Sequence, residues 1–502
     1  MSSTEDLAGR TEEFLAKAKA VSESISKWCE EGDISIVTHW DADGICAGAV
    51  IGLALSAKGY SFKVRFLDSL TDEAVKSLEA SGLPVVLTDM GAGQLDLLSE
   101  GLGGKVAVID HHQKQGDERY VQYLNSMDFG FDGGKDLSGS GTAYFVGEYI
   151  SKDSDLMPVA GIVGALADMQ DKNELRELRS LNSLIVKRGE ELGVVEVEED
   201  FVFFGRETRP LARALAGTYS FQIPGITGDE MAAYQLLDSL DIPLKDDDRL
   251  RSISDLSKEE KQRLAAGLLQ VMVSRGVKLP ADVPFIGKVY TFTKEDKWSP
   301  TRDAREFSFI LNSLGRSERF DLAFALLRGY RGSVLEEAQE VAQSYTAVIQ
   351  EAIRTVLSTP GAIAELNSTT VIRGEGLLQP NTLSPLITIL STGSLYSEDK
   401  LLVALCLQDE DNVKVSCRAS YVLVQRGVNA GSIMEKAAKA VGGQGGGHNV
   451  ASGATIPRKK TNRFLEKVDE LVGEALGKDK GESQVRPEGQ DQSQNPRRVA
   501  EA

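Results

Sequence analysis

The chain has 502 residues, of which 41% are hydrophobic and 26% are charged, and its formal net charge is −19. This length predicts two or three domains. The acidic balance argues against a general electrostatic attraction to nucleic acid, although a local groove can still be basic. The four cysteines are far apart and form no CxxC pair, so they indicate neither a disulfide framework nor a zinc ribbon. Because the sequence shows no signal-peptide pattern and no apolar run long enough to span a bilayer, we expect a cytoplasmic protein with no membrane role.

The first third of the chain alternates short apolar runs with helical patterns. Four runs rich in β-branched residues are typical of buried parallel strands, at residues 34–38, 62–67, 85–88 and 106–109. The segments between them suit crossover helices. We therefore predict an α/β domain with a doubly wound parallel sheet over residues 1–188.

The rest of the chain changes character twice. Residues 189–361 have longer, more charged amphipathic patterns, which predict a mainly helical insertion or linker region. Residues 362–476 again mix strand and helix patterns and predict a smaller α/β C-terminal domain. Residues 477–502 are rich in Gly, Gln, Ser, Pro and charge, and we expect a disordered tail there.

Acids and histidines follow three of the predicted strands. His39, Asp41 and Asp43 follow the first run, and Asp89 follows the third. Asp110, His111 and His112 follow the fourth run. Ligands of such sheets bind outside the carboxyl ends of the strands, and carboxylates with a few imidazoles suit Mn²⁺ or Mg²⁺. Asp41 and Asp43 could instead cap the helix that begins near Gly44, and this segment alone leaves the two interpretations even. The acids after the other strands favour a metal site.

Four motifs carry a family resemblance. THWDADG, LTDMG, VIDHHQ and ALADMQD, in this order, resemble the motifs of the DHH phosphoesterase superfamily, and GGGHNVASGA resembles the glycine-rich signature of the DHH-associated C-terminal domain. The resemblance covers residues 32–172 and 362–460. Within the superfamily the chain is similar to archaeal RecJ-like exonucleases, the GINS-associated nuclease among them. This resemblance implies an active site in the cleft between the two domains.

The resemblance also implies two ions, Mn²⁺ or Mg²⁺, and a role for each motif residue. One ion would be held by His39, Asp41 and Asp89, and the other by Asp43, Asp89, His111 and Asp168, so that Asp89 would bridge them. Asp110 would orient an imidazole, and His112 would face the scissile phosphate. Two ions of this kind activate water for in-line attack on phosphorus.

The C-terminal domain is implied to hold the substrate. The glycines Gly445, Gly446 and Gly447 permit close backbone approach, His448 would touch phosphate or base, and Arg418 resembles the arginine of this domain that pairs with a phosphate. A simple turn with a structural histidine is the alternative for the glycine-rich segment.

Three other segments have open interpretations. Residues 138–142 either cradle a phosphate with backbone N–H groups or form a loop leading into a helix at Ala143, which the sequence alone favours. The segment DAREFSFILNSLGR resembles a RecJ-type linker, but solvated arginines on an amphipathic helix explain it equally well. Its candidate contacts to the substrate backbone are Arg305, Asn312 and Arg316. The basic cluster RKKTNR at residues 458–463 is typical of a solvated face.

These observations favour a metal-dependent phosphodiesterase of the RecJ exonuclease type. It would act on single-stranded DNA or RNA in DNA replication or repair, and the resemblance implies 5′-to-3′ polarity. Hydrolysis of short oligonucleotides or cyclic dinucleotides is the alternative among enzymes, and the large insertion favours longer strands. A replisome scaffold with a decayed nuclease site is the alternative outside enzymes, although all four motifs keep their acids. Expected partners are single-stranded nucleic acid and, through the insertion region, GINS or other replisome proteins.

Overall fold

The computed structural model describes residues 4–218, 221, 223–277, 283, 285–392 and 397–477. The chain divides into two compact units, and the division follows Ile353. Among the described residues, no helix is both long enough and apolar enough to cross a membrane.

A parallel sheet organises the first unit. Its five strands are β1 (Ile34–His39), β2 (Phe62–Leu67), β3 (Val85–Thr88), β4 (Val106–Asp110) and β5 (Gln122–Asn125). They lie in the order β2-β1-β3-β4-β5, and every neighbouring pair is parallel. The chain winds outward in both directions from β1, as in a doubly wound sheet. The predicted α/β class with a parallel sheet is confirmed, and β5 is a strand that the sequence did not predict.

Helices cover this sheet, and one of them is central to the core. The helices are α1 (Thr4–Glu31), α2 (Ala42–Ala57), α3 (Asp72–Ser81), α4 (Leu95–Gly101), α5 (Gly139–Ile150), α6 (Leu156–Ala167) and α7 (Leu181–Glu191). α2 is apolar on every side and is buried from Ala42 to Leu55, where it packs against α5 and α6. A helix that is apolar all round is stable only inside a core. This packing fixes the start of α2, which carries Asp43, against the end of the sheet.

The region predicted as a helical insertion has two parts. The first part comprises β6 (Val195–Phe201), α8 (Leu211–Ala216), α9 (Glu230–Ser239), β7 (Lys245–Asp246), β8 (Arg249–Leu250), α10 (Lys258–Ser274) and β9 (Ile286–Phe292). Most of it surrounds a hydrophobic core of its own, and β6 pairs with β9 in an antiparallel ladder that the sequence did not predict. The second part comprises α11 (Ala304–Arg316), α12 (Phe320–Leu327) and α13 (Ser333–Ser358). Phe307, Leu311 and Leu314 of α11 belong to the core of the sheet domain, so this helix returns to α2 and α6.

The second unit contains a mixed six-stranded sheet. Its strands are β10 (Ile363–Glu365), β11 (Thr369–Arg373), β12 (Leu401–Leu407), β13 (Asn412–Arg418), β14 (Gln444–Gly447) and β15 (Ala451–Pro457), in the order β10-β11-β12-β13-β15-β14. Its helices are α14 (Pro380–Thr392), α15 (Tyr421–Gln425), α16 (Ala430–Ala440) and α17 (Thr461–Ala475). The tail predicted to be disordered lies outside the described residues from 478 onward.

Candidate metal centre

Three neighbouring strands bring the predicted acids to one edge of the first sheet. β1 ends at His39, Asp89 directly follows β3, and β4 ends at Asp110. Because β1, β3 and β4 are parallel and paired in sequence order across the sheet, the residues after their carboxyl ends lie side by side.

Asp41 has one of the two roles that the sequence left open, that of a helix cap, and its other carboxylate oxygen faces a histidine. Its Oδ1 accepts a hydrogen bond from Gly44 N at 3.0 Å and so caps α2. Its Oδ2 lies 3.0 Å from His39 Nδ1. The cap therefore fixes the carboxylate in the orientation that turns its second oxygen toward the histidine.

Asp89 lies at the centre of the cluster. Its Oδ1 is 3.2 Å from His111 Nε2, and its Oδ2 is 4.0 Å from His39 Nδ1. His111 Nε2 also lies 3.9 Å from Asp43 Oδ2, and His111 Nδ1 lies 3.9 Å from Asp168 Oδ2. Potential ligand atoms lie within 4.8 Å of one another in three groups: His39, Asp41 and Asp89; Asp43, His111 and Asp168; and Asp89, Asp110, His111 and His112.

The backbone of Asp89 is strained. Its φ is 57°, in the left-handed region that residues other than glycine rarely adopt, and such a conformation costs about 1–3 kcal/mol. Its backbone N–H donates to Ile109 O at 2.9 Å, which holds the strained residue against the end of β4. Strain that is held in this way is typical of functional positions.

The ring of His111 is oriented by a backbone carbonyl. Nδ1 lies 2.6 Å from Gly133 O, and because a carbonyl only accepts hydrogen bonds, Nδ1 is the donor. Nε2 is thereby directed at Asp89. Gln170 Nε2 also donates to Gly133 O, at 2.8 Å, so this carbonyl is itself fixed.

Asp43 is held by the start of α5. Gly139 N and Ser140 N donate to its two carboxylate oxygens at 2.8 and 3.1 Å, and Ser138 is the N-cap of that helix. The expected loop leading into a helix at Ala143 is therefore wrong in its boundary, because the helix already begins at Gly139. These two N–H groups bind a carboxylate of the chain, which is the same chemistry of a helix N-terminus that would bind a phosphate.

Two glycines make room for the carboxylates. A Cβ at Gly139 would lie 2.3 Å from Asp89 Oδ1, and a Cβ at Gly164 would lie 2.5 Å from Asp43 Oδ1. Any larger residue at either position would displace an acid of the cluster.

Asp168 directly follows the buried helix α6. Gln170 Nε2 donates to Asp168 Oδ2 at 2.9 Å, and Asn182 Nδ2 donates to Gln170 Oε1 at 2.6 Å. Neither Gln170 nor Asn182 was predicted from the sequence. Gln170 lies inside the fourth motif, which was a usable signal, whereas nothing in the sequence marks Asn182.

Asp110 is a hub of hydrogen bonds. It accepts from the backbone N–H of Ala92 at 2.9 Å, of His111 at 2.8 Å and of His112 at 3.2 Å. Its Oδ1 also lies 2.8 Å from His112 Nδ1. These bonds keep Asp110 ionised, and together with the histidines they hold its pKa well below the usual range against the opposing effect of burial.

Burial and mutual repulsion shift the pKa values of the other acids upward. Burial, followed by the charge of Asp43, raises the pKa of Asp89 to about 7. Burial also raises the pKa of Asp168 to about 7, although His111 opposes the shift. Burial alone would lower the pKa of His39, but Asp41 and Asp89 raise it to about 9. The cluster thus holds more negative charge than its surroundings neutralise.

The residues present fit a divalent cation. Asp89 Oδ1 is buried and, within the described part of the chain, accepts no hydrogen bond. A buried carboxylate oxygen facing an imidazole nitrogen needs a positive charge beside it. A divalent cation held by the carboxylate oxygens and the imidazoles would supply this charge. Gly133 and Gln170 would keep the ligands in position through their hydrogen bonds.

The three candidates on α11 have unequal surroundings. Arg305 donates to Asp171 Oδ2 through Nε at 3.0 Å and Nη2 at 2.7 Å. Arg316 lies over the ring of Trp40, with 4.4 Å between its Cζ and the ring centroid, and its buried Nε has no hydrogen-bond partner among the described residues. Asn312 is half-buried. Their contacts with substrate remain predictions.

In the second unit Arg418 is held by hydroxyl groups. Its Nη2 donates to Ser384 Oγ at 3.0 Å and to Thr388 Oγ1 at 2.9 Å, both on α14. Gly445, Gly446 and Gly447 belong to the edge strand β14, and the exposed His448 begins the turn to β15. The glycine-rich segment is therefore mostly strand rather than loop. Its substrate contacts, and the predicted site between the domains, also remain predictions.

Two family models match parts of the chain. The DHH-CID domain matches residues 203–282, and the DHHA1 domain matches residues 389–474. An uncharacterised protein of Methanocaldococcus jannaschii is 26% identical over 476 residues, which are 93% of this chain and 99% of that protein.

Solved structures with a similar fold include CDC45 and RecJ. CDC45 from Entamoeba histolytica has a TM-score of 0.62 at 13% identity, over 90% of this chain and 99% of that chain. RecJ from Thermus thermophilus in complex with Mn²⁺ has a TM-score of 0.56 at 14% identity, over 91% of this chain and 55% of that longer chain. An exonuclease RecJ bound to manganese has a TM-score of 0.52 at 13% identity, over 91% of this chain and 94% of that chain. The chain therefore contains a DHH-CID domain and a DHHA1 domain, and its fold is similar to those of CDC45 and RecJ.

Proposed function

We propose that the protein is a two-metal phosphodiesterase that removes nucleotides from an end of single-stranded nucleic acid, as a cytoplasmic RecJ-type exonuclease in DNA replication or repair. One observation carries this proposal. Asp89 turns one carboxylate oxygen to His111 and the other to His39, so a single buried carboxylate faces candidate ligands of both ions. A carboxylate shared in this way is what a pair of ions needs.

The two ligand groups suit Mn²⁺ or Mg²⁺. His39, Asp41 and Asp89 would hold one ion. Asp43, His111 and Asp168 would hold the other together with Asp89, whose Oδ1 lies 3.2 Å from His111 Nε2. Four carboxylates supply four negative charges, which balance two divalent ions. When bound, the ions would supply an activated water and would stabilise the negative charge that develops on the phosphoryl oxygens. The RecJ structures with Mn²⁺ support this choice of metal.

Asp110 and His112 would act on the substrate side of the cluster. Asp110 Oδ1 accepts the Nδ1 proton of His112, which fixes the orientation of the ring. Burial lowers the pKa of His112, but Asp110 raises it above its ordinary value, and the protonated ring would donate its Nε2–H to a non-bridging phosphate oxygen. Hydrolysis breaks one P–O bond of the phosphodiester: the oxygen of water stays on the resulting phosphomonoester, and the departing sugar oxygen takes up a proton and becomes a hydroxyl group.

Cationic and glycine-rich segments would hold the strand. Arg316 beside Trp40 offers a charge with an unused N–H near the metal ligands. Arg305 and Asn312 on the same helix would contact the strand backbone, and Arg418, the glycines of β14 and His448 would hold the nucleotide end. The RecJ likeness supports 5′-to-3′ polarity on DNA, with RNA as a second substrate. GINS or another replisome protein would bind the insertion region.

Two alternatives make different predictions. A phosphodiesterase for short oligonucleotides or cyclic dinucleotides would use the same metal centre. A replisome scaffold fits the similarity in fold to CDC45. The retained acids and the orientation of their side chains by Gly133, Gly139, Ser140 and Gln170 favour an enzyme over a scaffold alone.

The test is a time course on DNA and RNA strands that are labelled at either end, with Mn²⁺, Mg²⁺ or EDTA. We expect mononucleotides to be released from one end by the wild type with metal and not by Asp89→Ala. Asp33→Ala is the matched control, because Asp33 is exposed at the opposite end of β1. The absence of a metal-dependent difference between the wild type and Asp89→Ala would favour the scaffold. Preference for a dinucleotide over a long strand would overturn the exonuclease assignment.

A further inference from the structure

The insertion carries an open cleft that contains none of the predicted metal ligands. The cleft has a volume of about 420 Å³, within the range of small-molecule sites. The lining residues include Lys245, Asp246, Arg249, Arg251, Asp255, Lys297 and Trp298. Its lining combines an aromatic ring with four cationic and two acidic side chains.

Trp298 is exposed and yet firmly held. Its side chain is 44% exposed, and its φ of 62° places this bulky residue in the left-handed region. Its backbone N–H donates to the buried carboxylate of Glu207 at 2.9 Å, and its Nε1 donates to Asp255 Oδ1 at 3.0 Å. The fold therefore maintains an unfavourable backbone conformation that keeps a large aromatic ring at the surface.

A guanidinium group lies on one face of the ring. Arg249 Cζ is 4.0 Å from the centroid of the Trp298 ring, and Arg249 Nη1 is fixed by Asp255 Oδ2 at 2.9 Å. A guanidinium plane held on an indole offers a stacking surface for a nucleic-acid base.

Two of the four cations are available for a ligand. Arg251 is neutralised by Glu260, with 2.6 Å between Nη2 and Oε2, and Arg249 is paired with Asp255. Lys245 and Lys297 are exposed and form no ion pair in the described ranges. Asp246 is the remaining acid of the lining. The available charge is thus positive in a chain whose net charge is −19.

We propose that this cleft binds a nucleotide, with the base stacked on the Arg249–Trp298 pair and the phosphate held by Lys245 and Lys297. The nucleotide is either free or one unit of a single strand, and both sources present the same base and phosphate. Stacking on such a surface tolerates any base, because every base has a π face. The site is separate from the metal centre and does not depend on hydrolysis.

The experiment follows the fluorescence of Trp298 in EDTA, so that no hydrolysis occurs. Adenosine 5′-monophosphate, adenosine, inorganic phosphate and a short single-stranded oligodeoxyadenylate are titrated separately into the full-length protein. We expect the monophosphate or the strand to quench the fluorescence, with adenosine and inorganic phosphate each binding at least tenfold more weakly. The quenching by the monophosphate should disappear in Trp298→Phe, which retains the emission of Trp28 and Trp40, and the quenching by the strand should fall to the part that comes from Trp40 beside the metal centre.

A second set of variants keeps the indole and tests the phosphate contacts. Lys245→Ala combined with Lys297→Ala should weaken binding at least tenfold, whereas Lys187→Ala, an exposed lysine on α7, should leave it unchanged. Tighter binding of the strand than of the monophosphate assigns the cleft to nucleic acid, and equal binding assigns it to the free nucleotide. Equal quenching of the wild type and Trp298→Phe, or quenching by the monophosphate that is unaffected by loss of the two lysines, would overturn the proposal.

Discussion

The buried charged residues around Asp200 and those around Asp89 both lie in the first unit, and their carboxylates are compensated in different ways. In the insertion, the carboxylate of Asp200 is contacted by Arg206 Nη2 at 2.6 Å and by Lys261 Nζ at 2.7 Å. At the sheet edge, Asp89 has other acids around it, and one of its buried oxygens accepts no hydrogen bond from the described residues. The first cluster is neutralised by the chain itself, whereas in the second the carboxylates outnumber the histidines.

This difference separates a structural ion pair from a candidate metal centre. Buried acids occur in both clusters, so burial alone does not indicate function. What distinguishes the sheet edge is the combination of uncompensated charge, a strained backbone at Asp89 and supporting hydrogen bonds that point the ligands inward. Neutral substitutions of the acids should therefore have different effects on the free energy of unfolding in the two clusters.

The largest expected effect is on activity. Asp89→Asn keeps the size of the side chain but removes the charge that both ligand groups share. We expect nuclease activity with Mn²⁺ to fall by more than the ~100-fold that is typical for loss of a supporting residue. The measurement is the initial rate on an end-labelled strand. Activity within tenfold of the wild type would contradict the assignment of Asp89 as a metal ligand.

The second effect is on stability, and it has opposite signs in the two clusters. Asp200→Asn leaves the charges of Arg206 and Lys261 without their carboxylate and should lower the free energy of unfolding by about 3 kcal/mol. Asp89→Asn in EDTA removes repulsion and should leave the free energy of unfolding unchanged or raise it. Urea denaturation of the two variants at pH 8 measures both. Equal destabilisation by the two substitutions would contradict the contrast.

A smaller effect is expected from the amide that supports the centre. Gln170→Leu removes the hydrogen bonds to Asp168 and to Gly133 O, and therefore loosens Asp168 directly and His111 indirectly. We expect a loss of about 10–100-fold in Mn²⁺ affinity or activity. Excess Mn²⁺ should recover part of the activity if the loss is one of affinity. A variant with unchanged metal titration would show that Gln170 has no part in positioning the ligands.

The smallest effect is the pH dependence of stability without metal. The pKa values of about 7 for Asp89 and Asp168 exceed the ~3.9 of an unfolded aspartate. The stability contributed by a raised pKa is full below about pH 4 and is lost as the pH rises through 7. His39, with a pKa of about 9, acts in the same direction.

We therefore expect the free energy of unfolding in EDTA to fall between pH 5 and pH 8 more for the wild type than for Asp89→Asn. Added Mn²⁺ should stabilise the wild type more at pH 8 than at pH 5, because protons compete for the same ligands. Thermal unfolding with and without metal measures this. Stability in EDTA that rises over this pH range relative to Asp89→Asn would contradict the assigned shifts.

The sequence predicted the elements that have strong local signals. Runs of β-branched residues located β1 to β4, and the acids that follow them defined the sheet edge. The strands β5 and β14 escaped prediction because one is short and the other is mostly glycine. The start of α5 was placed too late because its first residues are small and polar, and their helical conformation depends on capping by Ser138 and on contact with Asp43.

The site was predicted in its ligands but not in its supports. Motif residues are recognisable by charge in an apolar setting, as Asp89 is. Asn182 contributes only because the fold brings it to Gln170, and the carbonyl of Gly133 acts through a backbone atom that no residue type reveals. The positive φ of Trp298 likewise follows from tertiary contacts with Glu207 and Asp255 and not from its neighbours in the chain.

The central claim is that the sheet edge holds two divalent ions through a shared Asp89. Titration of the metal-free protein with Mn²⁺, with bound metal counted per chain, tests it most directly. We expect two Mn²⁺ ions per wild-type chain and the loss of at least one in Asp89→Asn. Folded Asp200→Asn should retain both ions. No bound Mn²⁺ in the wild type, or the same stoichiometry and affinity in Asp89→Asn, would contradict it.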